Sequence, residues 1–259
     1  MNRIEALSGS LMYEFRMQIR RRSVWLVFIA MGLFFTQFHQ PWNRPLSTSA
    51  SDAIIYWTGT VQSFLAVAFG IVMADRLRRD RQTKVDELLN TLPGTVGGRM
   101  FGKYLGSTLA TLIPMLAVYA AGVVYILARW HTLQALPLAL AAFAAIALPG
   151  ILFIAACSIA FPAIMWVPLY QILFVGYWFW GNLLPGVGIP TLSATILTPV
   201  GSAICTGFFN QHGLEGVCSP GIQGVTALQG IESIVLLLGL AIVVMAALSG
   251  YLRWQRSWQ

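Results

Sequence analysis

From Tyr104 to Ala128, and again from Leu136 to Phe161, the chain carries no Asp, Glu, Lys, Arg or His. Each run exceeds the ~20 apolar residues that an α-helix needs to cross ~30 Å of hydrocarbon. Backbone surrounded by lipid must satisfy its own hydrogen bonds, so runs of this kind fold as membrane helices. Further apolar runs at 24–38, 54–73, 163–184 and 233–252 extend the pattern. The expected fold is an all-α integral membrane protein with six transmembrane helices at 24–38, 54–73, 104–128, 136–161, 163–184 and 233–252. Pro149-Gly150 is expected to kink the fourth span, and Pro162 to mark a tight turn into the fifth. Only 10% of the residues are charged and 57% are hydrophobic, whereas a soluble domain carries about 25% charge.

The net charge of +7 is therefore no sign of nucleic acid. In a membrane protein basic residues set orientation and meet anionic head groups. With the N-terminus inside, all but Arg44 and Arg129 of the 16 lysines and arginines fall on the inner side. The expected topology is N-in, C-in.

One long charged stretch, 74–103, interrupts the spans. It holds Arg76, Arg78, Arg79, Arg81, Lys84, Arg99 and Lys103 with Asp75, Asp80, Asp86 and Glu87. Within it Val85, Leu88, Leu89 and Leu92 fall at i, i+3, i+4 and i+7, one stripe of a helix, and Pro93-Gly94 ends that helix. A short amphipathic helix flanked by charge on the inner face is a docking site for a soluble partner. Residues 1–22 form a second amphipathic helix. Ile4, Leu7, Leu11, Phe15 and Ile19 make its apolar face, expected in the acyl boundary of the inner leaflet, while Glu14, Arg16, Gln18 and Arg20 to Arg22 occupy the other positions.

Residues 185–232 connect the fifth and sixth spans with no Lys or Arg. The segment is too apolar for a solvated loop and is broken by Pro185, Pro190 and Pro199. Short half-helices that dip back into the outer leaflet and cap the bundle account for it, since irregular backbone at that depth must be buried by protein or reached by water. Cys205 and Cys218 lie here on the oxidising side, as a disulfide or as two thiols.

The spans hold no acid of the kind that binds a coupling ion in a secondary carrier. They show neither a nucleophile with its base nor clustered metal ligands, and no enzymatic activity is expected of this chain. His39, His131 and His212 sit in separate outer loops. Gly97 to Lys103 fits the spacing of a phosphate-binding loop, but Tyr104 stands where a magnesium-binding Ser or Thr belongs and no strand precedes it. The glycines are instead expected to turn the chain into the third span, with Lys103 at the inner head groups.

With these residues in place, the central stretch resembles the signature of the type-2 permeases of ATP-binding-cassette (ABC) exporters. In that family an acid-Arg pair precedes a coupling helix, a Glu and a Leu pair lead to a Pro, and Gly-Lys follows nine and ten residues later. Asp80-Arg81, Glu87, Leu88-Leu89, Pro93 and Gly102-Lys103 stand in that register. Lys84-Val85 and Val96 depart from the family's usual Gly-Thr and Arg. The resemblance implies a permease subunit in the bacterial cytoplasmic membrane, paired with an identical or related permease and with two ATPase subunits. ATP and magnesium would be bound by those partners, with no cofactor in this chain. It implies docking through Asp80, Arg81, Val85, Asp86, Glu87, Leu88, Leu89 and Leu92. Gln171, Tyr177, Trp178 and Asn182 are the polar and aromatic groups of the fifth span best suited to a pathway or subunit interface. So little buried charge suits a lipid-like, apolar or peptide cargo. The competing expectations are a membrane anchor that binds a soluble partner and moves nothing, and a small secondary carrier.

Overall fold

The computed structural model describes residues 3–38, 49–76, 96–183, 191–209 and 224–257. These residues form helices and turns, in the order α1 (Arg3–Ile19), α2 (Arg22–Phe38), α3 (Ala50–Ala74), α4 (Val96–Trp130), α5 (Leu136–Ala142), α6 (Leu148–Ala160), α7 (Val167–Trp178), α8 (Ser202–Phe209) and α9 (Ala227–Arg256). A π-helical turn, Phe143–Ala147, joins α5 to α6. It lies just before Pro149, which has no N–H to continue the α-helical ladder, and such turns absorb that defect.

Among the described residues four helices are long and apolar enough to cross a membrane: Ala50–Ala74, Gly97–Trp130, Leu136–Ala163 and Ala227–Gln255. The chain is a multi-pass membrane protein on that count. The other two expected spans are shorter. α2 has 17 residues, and α7 has 12 before a π-turn over Phe179–Leu183.

The bundle is built around α3. Every residue from Ala53 to Gly70 is buried, because the helix carries small and apolar side chains on all faces and neighbours pack all round it. Several of its polar residues bond locally or across the core, while the buried Gln62 Oε1 has no hydrogen-bond partner among the described residues. Thr58 donates to the Ile54 carbonyl at 2.8 Å, and the Trp57 indole donates to the Tyr119 carbonyl at 3.0 Å. Ser49 caps its start by accepting from the Asp52 amide. By contrast α9 leaves Val235, Leu236, Ile242 and Val243 exposed, as suits a helix facing lipid. A Thr226–Gln229 capping box starts it.

Pro162 does stand in a tight turn: the 3-10 turn Phe161–Ala163 leads almost at once into α7. The Ser158 and Tyr170 hydroxyls hydrogen-bond across it at 2.9 Å. The helix that contains the expected third span, 104–128, starts earlier than that span. α4 runs unbroken from Val96, so Gly97, Gly98 and Gly102 are helix residues and not a turn.

Candidate functional site

Asp80, Arg81, Val85, Asp86, Glu87, Leu88, Leu89 and Leu92 all lie in 77–95, outside the described residues. Both roots of that segment are described. It leaves the bundle after Asp75-Arg76 at the end of α3 and returns at Val96 into α4. A buried group of polar and charged side chains lies between them.

The site begins with glycine. A Cβ on Gly102 would come within 2.9 Å of the Ser10 Oγ, and one on Gly106 within 2.9 Å of the Glu14 Cβ. Glycine at a four-residue spacing lets two helix backbones approach closely, so α1 lies directly on the first half of α4. That contact turns one face of α1 inward, bringing Glu14 and Gln18 against α4 and against the end of α3.

Glu14, Gln18, Arg76 and Lys103 are all buried there, Arg76 at 0% exposure and Lys103 at 4%. The Arg76 guanidinium pairs with the Glu14 carboxylate through Nη2 and donates through Nη1 to the Gln18 Oε1 at 2.9 Å. Lys103 Nζ lies 3.7 Å from the other Glu14 oxygen. The Gln18 amide donates to the Thr111 Oγ1 at 3.2 Å, and Thr111 donates to the Ser107 carbonyl at 2.8 Å. Arg21 Nη2 adds a half-exposed pair with Asp75 at 4.0 Å.

One carboxylate therefore serves two buried cations, and the group ties three helices together. Removing water from three charges is costly, and only close pairing with further hydrogen bonds offsets it. The Arg76 Nε has no hydrogen-bond partner among the described residues. The arrangement is a charged joint. It fixes Arg76, next to the 77–95 segment, and Lys103, two turns into α4, to the N-terminal helix.

The burial of Glu14 and Gln18 departs from their expected place on the polar face of an interfacial helix, and that of Lys103 from its expected place at the head groups. The four side chains meet because the α1–α4 contact through Gly102 and Gly106 encloses them. The signal in the sequence was the four-residue spacing of Gly98, Gly102 and Gly106, with Glu14 and Gln18 four apart in α1.

The remaining expected site residues separate. Trp178 is buried, and its indole donates to the Ser63 carbonyl at 2.7 Å. Asn182 is buried, donates to the Trp178 carbonyl at 3.3 Å and accepts from Thr198 at 3.2 Å. Gln171 donates to the Ile71 carbonyl at 3.3 Å. Three of the four thus bind within the protomer, and Tyr177 is the exposed one, at 45%.

Thr198 belongs to the described part, 191–209, of the connection after α7, which packs against the bundle. The Pro199 carbonyl accepts from the Gln62 amide at 2.8 Å, and a Cβ on Gly150 would collide with that same carbonyl. Gly201, with φ +82°, starts the short helix α8, whose Cys205 is buried. Cys218 lies outside the described residues, and with it the expected pairing. No protein-family model matches the chain, and no curated protein matches its sequence.

Proposed function

We propose that this chain is the transmembrane subunit of an ATP-driven exporter, working as a pair of permeases above two separate ATPase subunits. The observation that carries the reading is the charged joint at the roots of 77–95. An amphipathic segment that dangled from the bundle could recruit a partner but could not pass on its motion. Here Arg76 at the outgoing root and Lys103, two turns into α4, both pair with Glu14 of α1, and α1 is packed backbone-close on α4. A push on Glu87–Leu92 would be delivered to α1, α3 and α4 as one body.

In this reading Val85, Leu88, Leu89 and Leu92 form the apolar docking face, and Asp80, Arg81, Asp86 and Glu87 frame it with charge. α2 and α7 complete six crossings, with both termini on the ATPase side. ATP and magnesium stay in the partner. Closure of the ATPases tilts the helices rooted in the joint and opens a path outward at the seam between permeases. The cargo is lipid-like, apolar or peptidic. Two packings of the bundle with different affinity for the closed motor suffice for such a cycle.

The test is Glu87→Arg in the reconstituted complex. Loss of cargo-coupled ATP hydrolysis with an unchanged yield of folded chain is expected. Full coupling in the variant would contradict the docking role.

A further inference from the structure

A groove of about 430 Å³ opens between α4, α6 and α9, lined by Phe101, Leu105, Leu152, Ile242 and Met245 among others. Two polar side chains reach its wall, and both are already engaged. The Tyr104 hydroxyl donates to the Leu152 carbonyl at 3.0 Å, and the Ser249 hydroxyl to the Ala246 carbonyl at 2.8 Å. The groove thus offers hydrocarbon contact and no free hydrogen-bonding side chain. Along α9 it extends from Leu238 to Ser249, about 16 Å at the helical rise, close to half the ~30 Å hydrocarbon core.

One end of this groove carries a cation. The Arg253 Nη2 lies 3.2 Å from where a Cβ on Gly97 would sit, and Gly97 lines the groove beside Ser249. Arg253 is exposed. Among the described residues no carboxylate is paired with it. Trp254, next in the chain, is 59% exposed, as aromatic residues at head-group level are. An apolar slot one leaflet deep, ending at an exposed guanidinium, has the complementarity of a single amphiphile with a negative head.

We propose that this groove binds an anionic phospholipid, one acyl chain lying along α4 and α9 and the phosphate against Arg253. A guanidinium matches phosphate oxygens in a two-pronged geometry that a lysine cannot reproduce. The site is independent of the transport reading, since it needs only the membrane bundle.

The full chain, purified in mild detergent, is titrated with phosphatidylglycerol or with phosphatidylcholine of identical acyl chains, and bound lipid is counted by native mass spectrometry. Wild type is expected to retain phosphatidylglycerol about fivefold to tenfold more tightly than phosphatidylcholine, the scale of one arginine–head-group attraction. Arg253→Gln should erase that preference, and Arg253→Lys should restore part of it. Ala246→Trp, which fills the groove from its exposed side, should remove tight binding of both lipids. Equal retention of phosphatidylglycerol by wild type and Arg253→Gln overturns the head-group assignment. Unchanged lipid binding in Ala246→Trp overturns the groove, and if that variant instead loses self-association, a second copy of the chain is the occupant.

Discussion

The two ends of the bundle are closed by different chemistry. At one end Glu14, Arg76 and Lys103 form a buried ionic joint among α1, α3 and α4. At the other, the segment from Thr191 to Phe209 is held by neutral bonds. Gln62 donates to the Pro199 carbonyl, Thr198 to Asn182, and the segment fits against Gly150, which leaves room for its backbone. A neutral hydrogen bond contributes about 1 kcal/mol net and can be lost singly. An ionic joint cannot be taken apart in pieces, because each removal strands a buried charge. The first end suits parts that must move as one. The second suits a cap that can loosen step by step.

The largest expected effect is therefore Glu14→Gln. It leaves Arg76 and Lys103 buried without their carboxylate and should lower stability by about 3–5 kcal/mol, read from chemical denaturation in detergent. A loss under about 1 kcal/mol would erase the distinction between the two ends. Gly150→Leu should come next. It drives a side chain into the Pro199 carbonyl and the Gln62 amide, and overpacking of this kind costs about 1–3 kcal/mol. The same denaturation assay checks it, with faster proteolysis of the Thr191–Phe209 region as a second readout. Gln62→Leu removes one neutral donor and should cost about 1 kcal/mol. Asp75→Asn should cost least, under about 1 kcal/mol, since its partner Arg21 is 4.0 Å away and both are partly exposed. Raised salt should mask that last effect and leave the Glu14→Gln effect standing, because buried pairs are screened far less.

Much of this architecture could be read from hydrophobic runs alone. The expected second and fourth spans match α3 and the run from Leu136 to Ala160 to within a few residues, because lipid forces long apolar runs into helices. α9, which contains the expected span 233–252, begins earlier, at Ala227, since Thr226 caps it well before the apolar run starts. Gly97, Gly98 and Gly102 were misread for a physical reason. Glycine weakens a helix in water, but at Gly102, as at Gly106, it supplies the close contact that holds α1, while Gly97 faces Arg253.

The joint is only half legible. The glycine spacing marks α4 for a close helix contact, but Glu14, Arg76 and Lys103 are far apart in sequence, and periodicity within one helix does not say which helix is its partner. Charge near the end of an apolar run also reads by default as head-group charge. The inward fold around Pro199 was legible as an apolar, proline-broken stretch, but not its anchor, because nothing in the sequence couples Gln62 to a carbonyl 137 positions away.

In the proposed cycle 77–95 receives force from a separate ATPase and hands it to the joint. The direct measurement is ATPase activity in material that co-purifies with this chain in mild detergent, compared with the Leu88→Asp, Leu89→Asp variant. The account predicts a stoichiometric ATPase with the wild type that is lost from an equally folded variant. A lone membrane protein with no associated ATPase, or an ATPase retained unchanged by the variant, would contradict it.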